Sequence, residues 1–222
     1  LGEFAIDTGI EENILVIGDS SGKSTLLRNM IHRISEGIPP SDAKLLVIDY
    51  RRQLLGECPA THLAGYASTK QDVQEFISQL VPLLESRMPA GVDDPQTLRD
   101  RSWWKGPDIF LVVDDYDLVA TSSGNPLQGL LELLPYGRDI GLHMVVARRC
   151  TGFSRTSFEP IMARLRELHP TIFLMSGTAE EGIIAGGRKA RSLSKGRADV
   201  ISNQGTHQVV QFAHHVGEEK TE

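Results

Sequence analysis

Cysteine is scarce in this 222-residue chain: Cys58 and Cys150 lie far apart with no CxxC or Cys/His spacing, which excludes a disulfide scaffold and a thiolate zinc site. A reducing compartment is the expectation. Aromatic residues make up only 6% of the chain. No apolar run approaches the roughly 20 residues that span a bilayer, so no transmembrane segment is read and a soluble chain is expected. Basic charge is also short, with 23 Lys and Arg against 29 Asp and Glu and a net charge of −6, which counts against a general nucleic-acid binder. Residues 1–7 have no basic region followed by an apolar stretch, and residues 1–4 read like the edge of a cut-out domain. One domain is expected at this length, with a core that needs no covalent staples.

What is present alternates short apolar runs with longer amphipathic stretches, the pattern of an α/β protein whose mostly parallel sheet is covered on both faces. Residues 14–17, 44–48, 109–113 and 143–147 read as central strands and 171–175 as a fifth. Residues 198–202 and 207–212 read as a closing hairpin across Asn203-Gln204-Gly205. Helical patterns fall at 23–36, 69–88, 126–136 and 158–168. In the second of these Val73, Phe76, Ile77, Leu80, Leu83 and Leu84 form a core-facing stripe. Pro82 predicts a kink in it, and Ser68 or Thr69 with Asp72 predicts a capped start. Residues 218–222 read as a solvated tail.

The strongest motif follows the first strand, where Gly18-Asp19-Ser20-Ser21-Gly22-Lys23-Ser24-Thr25 runs straight into a helical pattern. In the phosphate-binding pattern GxxxxGK[ST], glycines let successive N–H groups curl round a phosphate, the lysine reaches the outer phosphates, and the next hydroxyl ligates magnesium. Lys23 and Ser24 fit those last two roles, so ATP and Mg2+ are the cofactors expected. Only three residues separate Gly18 from Gly22 where the pattern has four, a deficit of about 3.5 Å of chain. The nest is therefore expected to be defective, whether the motif is degenerate or a residue is missing from the chain. A plain Gly/Ser turn is the competing reading.

A partner motif ends the third strand. Asp114 suits the carboxylate on the magnesium side, and Asp115 takes the place of a water-orienting acid with one methylene fewer than Glu. Slow hydrolysis follows. The alternative is that Asp114, Asp115 and Asp117 merely end a strand. Arg148-Arg149 closes the fourth strand, where a sensor of the γ-phosphate would sit, and Arg138 precedes that strand; either Arg138 or the Arg148-Arg149 pair, Arg148 foremost, is a candidate arginine finger toward a neighbour's nucleotide. A salt bridge from Arg138 to Asp139 or Glu132 competes with that role. Arg188, Lys189, Arg191, Lys195 and Arg197 form an acid-free run that suits either a phosphate or acidic partner or a solvated loop. With no aromatic interleaved it is no stacking platform for single strands. Trp103-Trp104 reads as packing at a sheet edge.

Several segments, in order, resemble a known family: Val47-Ile48-Asp49-Tyr50-Arg51-Arg52, Leu63-Ala64-Gly65-Tyr66, Arg101-Ser102-Trp103-Trp104, Val112-Val113-Asp114-Asp115-Tyr116-Asp117-Leu118-Val119, Arg138-Asp139-Ile140-Gly141-Leu142-His143 and Met175-Ser176-Gly177. Together they are similar to the C-terminal ATPase module of EccC-type proteins, the FtsK/SpoIIIE-type motor subunits of type VII (ESX) secretion systems. The resemblance implies a RecA-like P-loop NTPase domain over residues 10–213, with a linker at 1–9 and a tail at 214–222. It further implies weak or absent ATP hydrolysis, since terminal modules of the family often carry altered nucleotide motifs. The implied partners are other ATPase modules of the same motor, a secreted WXG100-type protein bound through its C-terminal signal, and, indirectly, membrane components of the secretion complex. The implied location is the cytoplasmic side of the inner membrane, and DNA is not an expected partner. Two other classes stay open. An FtsK-type DNA translocase domain would show salt-dependent DNA binding, and an inactive substrate-docking domain with a relic P-loop would show no affinity for ATP.

Overall fold

The computed structural model describes residues 13–212. The linker at 1–9, the tail at 214–222 and the run at 218–222 lie outside the described residues. The chain runs β1 (Asn13–Ile17), α1 (Lys23–Gly37), β2 (Ala43–Ile48), β3 (Leu63–Ala67), α2 (Lys70–Glu85), α3 (Pro95–Asp100), β4 (Asp108–Val113), α4 (Tyr116–Val119), α5 (Gly137–Ile140), β5 (Leu142–Arg148), α6 (Phe153–Thr156), α7 (Pro160–Glu167), β6 (Thr171–Leu174), β7 (Ile183–Ala185), β8 (Arg188–Lys189), β9 (Arg197–Ile201) and β10 (His207–Gln211).

Eight strands form one sheet in the order β10-β9-β6-β1-β5-β4-β2-β3. Its six strands from β6 to β3 are parallel, and β9 and β10 extend it as the antiparallel hairpin read from sequence. β1 lies between β5 and β6, and β5 separates it from β4. The loops that follow β1, β5 and β4 therefore emerge side by side, at the edge where α/β sheets bind ligands.

Alternation along each strand feeds two cores. Ile14, Val16, Leu45, Val47, Phe110 and Val112 pack with Leu26, Leu27, Met30 and Ile31 of α1 on one face. Leu15, Ile17, Leu46, Ile48, Leu111 and Val113 pack with Val73, Ile77, Leu80 and Leu84 of α2 on the other. The parallel strands read as unbroken apolar runs because both of their faces are covered.

Thr69 caps α2 in a full capping box: its side chain accepts from the Asp72 N–H, while the Asp72 carboxylate accepts from the Thr69 N–H. The helix continues through Pro82 to Glu85, where the sequence pattern extends to residue 88. Leu83, placed by that pattern in the core, is 44% exposed. The helix expected at 126–136 is absent. Two short 3-10 turns, Gln128–Leu130 and Leu134–Tyr136, take its place, because Pro135 removes an interior donor and Gly129 weakens the segment before it. Leu127, Leu130 and Leu134 are nevertheless buried, which is how the segment imitates a helical stripe.

Candidate functional site

A cleft of about 490 Å³ opens at the C-terminal ends of the parallel strands, lined by residues 19–25 together with Arg51, Gln53, Asp115 and Arg149. Its floor is the loop after β1. The Gly18 N–H donates to the carbonyl of Arg148 (3.2 Å) and the Asp19 N–H to that of Ser176 (2.7 Å), which anchors the root of the loop between β5 and β6. A side chain at Gly18 would run into Ser21 Oγ and come within 2.7 Å of Met175 Cβ, so only glycine fits.

The short span to Gly22 is closed by two residues in the left-handed region, Ser20 at φ 47° and Gly22 at φ 96°. Left-handed backbone costs a non-glycine residue about 1–2 kcal/mol, more than the roughly 0.4–1 kcal/mol that glycine loses through the entropy of the unfolded chain. Ser20→Gly is accordingly expected to stabilise the domain by about 0.5–1 kcal/mol and to raise its melting temperature by about 2 °C. Thermal unfolding of the two proteins side by side checks this; an unchanged or lower midpoint shows that Ser20 is not strained.

Among the described residues, none of the backbone N–H groups from Ser20 to Thr25 has a protein acceptor. The loop, one residue shorter than the pattern, leaves these donors available to an anion at the start of α1. Asp19 takes no part in that array. Its carboxylate turns aside to accept from the N–H groups of Cys150 (3.1 Å) and Thr151 (3.1 Å) and from the Thr151 hydroxyl (2.8 Å), tying the loop after β1 to the loop after β5. Lys23 has no hydrogen-bond or ion-pair partner among the described residues, so its ammonium is free for an anion. Ser21 Oγ is buried without a hydrogen-bond partner.

The structure brings the two sequence motifs together. Ser24 Oγ donates to Asp114 Oδ2 at 2.6 Å across the gap between α1 and the end of β4. Asp114 Oδ1 accepts from the N–H of Asp115 at 2.9 Å. Burial pushes the Asp114 carboxyl above the ordinary carboxylate range; the Ser24 hydrogen bond opposes this, and the nearby charges of Asp115 and Asp49 add to it. Asp115 itself sits at φ 48° and pairs with Arg51 Nε at 3.2 Å. Behind these acids Tyr116 donates to Glu159 Oε2 (2.6 Å) and Asn125 donates to both, which fixes α4 against the start of α7.

The arginines divide differently from the sequence expectation. Arg148 is buried: its guanidinium donates to Asp117 Oδ1 at 2.8 Å and to the Thr156 hydroxyl, and lies 5.1 Å from the Phe153 ring centre. It does not lie at the surface, where a finger is expected, and reaching a neighbour would break a desolvated ion pair. Arg149, not Arg148, lines the cleft. Arg138 is exposed on α5 before the start of β5 and makes no salt bridge among the described residues, so the expected pairing with Asp139 or Glu132 does not form. The seven residues of β5 separate it from the cleft, roughly 20 Å of strand. In the basic run, Arg191 is paired with Asp199 and Arg197 is hydrogen-bonded to Gln211. Trp103 and Trp104 donate to the carbonyls of Arg87 and Asp139, a packing role at the opposite end of the sheet.

Sequence reasoning did not single out Arg51, Gln53 or the Asp19 clamp. Arg51 lies just beyond the C-terminal end of β2, and that position was the available signal for a ligand-facing residue. Among the described residues no group of three or more His, Cys, Asp or Glu side chains is arranged to hold a metal. The oxygens of Ser24 and Asp114 suit Mg2+, which is held by one or two protein oxygens together with substrate phosphates.

No protein-family model matches the chain. It is 46% identical over 210 residues to the ESX-4 secretion system protein EccC4 of Mycobacterium tuberculosis (strain ATCC 25618 / H37Rv), covering 94% of this chain and 17% of that protein. It is 40% identical over 215 residues to the ESX secretion system protein EccC of Thermomonospora curvata, covering 96% of this chain and 16% of the relative. The chain thus spans about one sixth of the length of these relatives. Among solved structures, the cytoplasmic domain of the T. curvata type VII secretion ATPase EccC superposes with a TM-score of 0.92 at 39% identity, over 96% of this chain and 25% of the other. A second structure, of ATPases 2 and 3 of the same protein in complex with a signal sequence peptide, matches with the same TM-score and identity, over 96% of this chain and 38% of the other.

Proposed function

From a chain that belongs with the EccC-type ATPase domains of type VII secretion systems, we infer an ATP-binding module whose nucleotide occupies the cleft beside β1 and β4 and turns over slowly. The observation that carries this reading is the 2.6 Å hydrogen bond from Ser24 to Asp114, with an unpaired Lys23 and free N–H groups beside it. Residues 20–25 bind the phosphates, and Gly18 lets the loop turn. Ser24 and Asp114 are the residues that would hold Mg2+, whose chemistry is to neutralise charge on the transferring phosphoryl group. Asp115 orients the attacking water, and its shorter reach keeps hydrolysis slow.

A titration with fluorescent ATP, with and without Mg2+, tests the reading. Weak, Mg2+-dependent binding is expected, with Lys23→Ala reducing it beyond detection. No binding by the unmodified chain would favour the docking domain with a relic P-loop. Rapid turnover would overturn the slow-hydrolysis half.

The proposed partners are neighbouring ATPase modules of the same motor and the C-terminal signal of a WXG100-type secreted protein. The T. curvata complex with a signal sequence peptide supports the second. For the first, Arg138, exposed and far from its own cleft, is proposed to complete a neighbour's site in place of Arg148. DNA is not proposed, given the net charge of −6. No helix among the described residues is long and apolar enough to cross a membrane. Association with the inner membrane through the secretion complex is part of the proposal.

A further inference from the structure

We propose that Arg51 is a nucleotide-controlled latch on Asp115: without nucleotide it holds the carboxylate, and a bound γ-phosphate draws it away. The proposal rests on the reading of the cleft as an ATP site.

Arg51 has a fixed root and a free head. The turn that carries it is pinned by Asp49, whose carboxylate accepts from the Leu54 N–H (2.6 Å) and the Tyr66 hydroxyl (2.8 Å), while Arg52 N–H donates to the Asp49 carbonyl. Leu54 anchors the far side of the turn in the core. The Arg51 side chain itself is 61% exposed and reaches across the mouth of the cleft to Asp115, which is 16% exposed. Its ion pair is therefore half solvated and of the kind that is worth little on its own.

A triphosphate in the same cleft offers that guanidinium a second anion, more highly charged and matched to its planar donor fork. Arg51 cannot serve both at full strength. When it turns to the terminal phosphate, Asp115 is released to accept a hydrogen bond from water. ADP lacks the third phosphate and leaves the latch closed. Arg149, the other arginine of the cleft, does not satisfy this logic, because its nearest carboxylate is Asp117 at 3.8 Å. Its movement frees no group beside the reacting phosphate.

The test is a double-substitution cycle on the 222-residue chain, read as equilibrium binding of ATP and of ADP in the presence of Mg2+. Arg51→Gln is expected to weaken ATP binding about tenfold while ADP changes less than about twofold. Asp115→Asn removes the competing anion, so it is expected to strengthen ATP binding several-fold more when Arg51 is present than when Gln replaces it. Equal weakening of ATP and ADP would show a diffuse charge effect and overturn the latch. So would an equal effect of Asp115→Asn in both backgrounds. Failure of the unmodified chain to bind either nucleotide would instead overturn the underlying reading, and the latch with it.

Discussion

Arg148→Ala is expected to destabilise the domain by about 3–5 kcal/mol, because it strands the Asp117 carboxylate in a site built for a guanidinium. For a domain of this size that lowers the melting temperature by roughly 10 °C. Burial lowers the pKa of Arg148, and Asp117 opposes that shift by favouring the charged form. The same Asp117 carboxylate also accepts from the N–H of Arg149 at 2.8 Å, so it organises the whole exit from β5. Removing both charges together, as in Arg148→Met with Asp117→Asn, which keeps an acceptor for the Arg149 N–H, is expected to recover most of the loss, since the penalty arises from the unpaired ion. Thermal unfolding with circular dichroism distinguishes this from a finger role. A finger would leave the midpoint of Arg148→Ala unchanged and lower only the activity of an assembled motor.

That contrast marks where the chain was legible as sequence. β1, β2, β4 and β5 were visible because each is a run of branched apolar residues covered on both faces, which no surface element imitates. β3 was not, because it is an edge strand, Leu63-Ala64-Gly65-Tyr66-Ala67, without a run of branched apolar residues and with only Ala67 fully buried. Lys23, Ser24 and Asp114 could be assigned to one site in advance because contiguous motifs at strand ends carry them. The burial of Arg148 could not, because its partner Asp117 is 31 residues away and nothing local distinguishes Arg148 from its exposed neighbour Arg149. Arg51 escaped for a similar reason. Its importance lies in an approach to Asp115 that only the order of β2 and β4 in the sheet creates.

Asp114→Asn is expected to separate stability from nucleotide binding in a single atom change. The native carboxylate is buried beside Asp115 and Asp49, and its charge is carried at a cost that burial dominates. Asparagine keeps the shape and both contacts: its oxygen can accept from the Asp115 N–H, and its amide can donate to Ser24 Oγ in place of the bond now donated by that hydroxyl. Removing the charge should therefore stabilise the nucleotide-free domain by about 1 kcal/mol, or about 2–4 °C in melting temperature. The same change should weaken Mg2+-dependent ATP binding about tenfold to a hundredfold, the range seen when a carboxylate that orients a metal ligand is lost. In the absence of Mg2+, residual nucleotide binding should change far less, or strengthen slightly as a repelling charge leaves the cleft. Melting curves recorded with no addition, with ATP, and with ATP and Mg2+ measure all three effects on one protein. A lower midpoint for the nucleotide-free variant would mean that Asp114 is held for structure, and an undiminished shift with ATP and Mg2+ would remove it from the metal site.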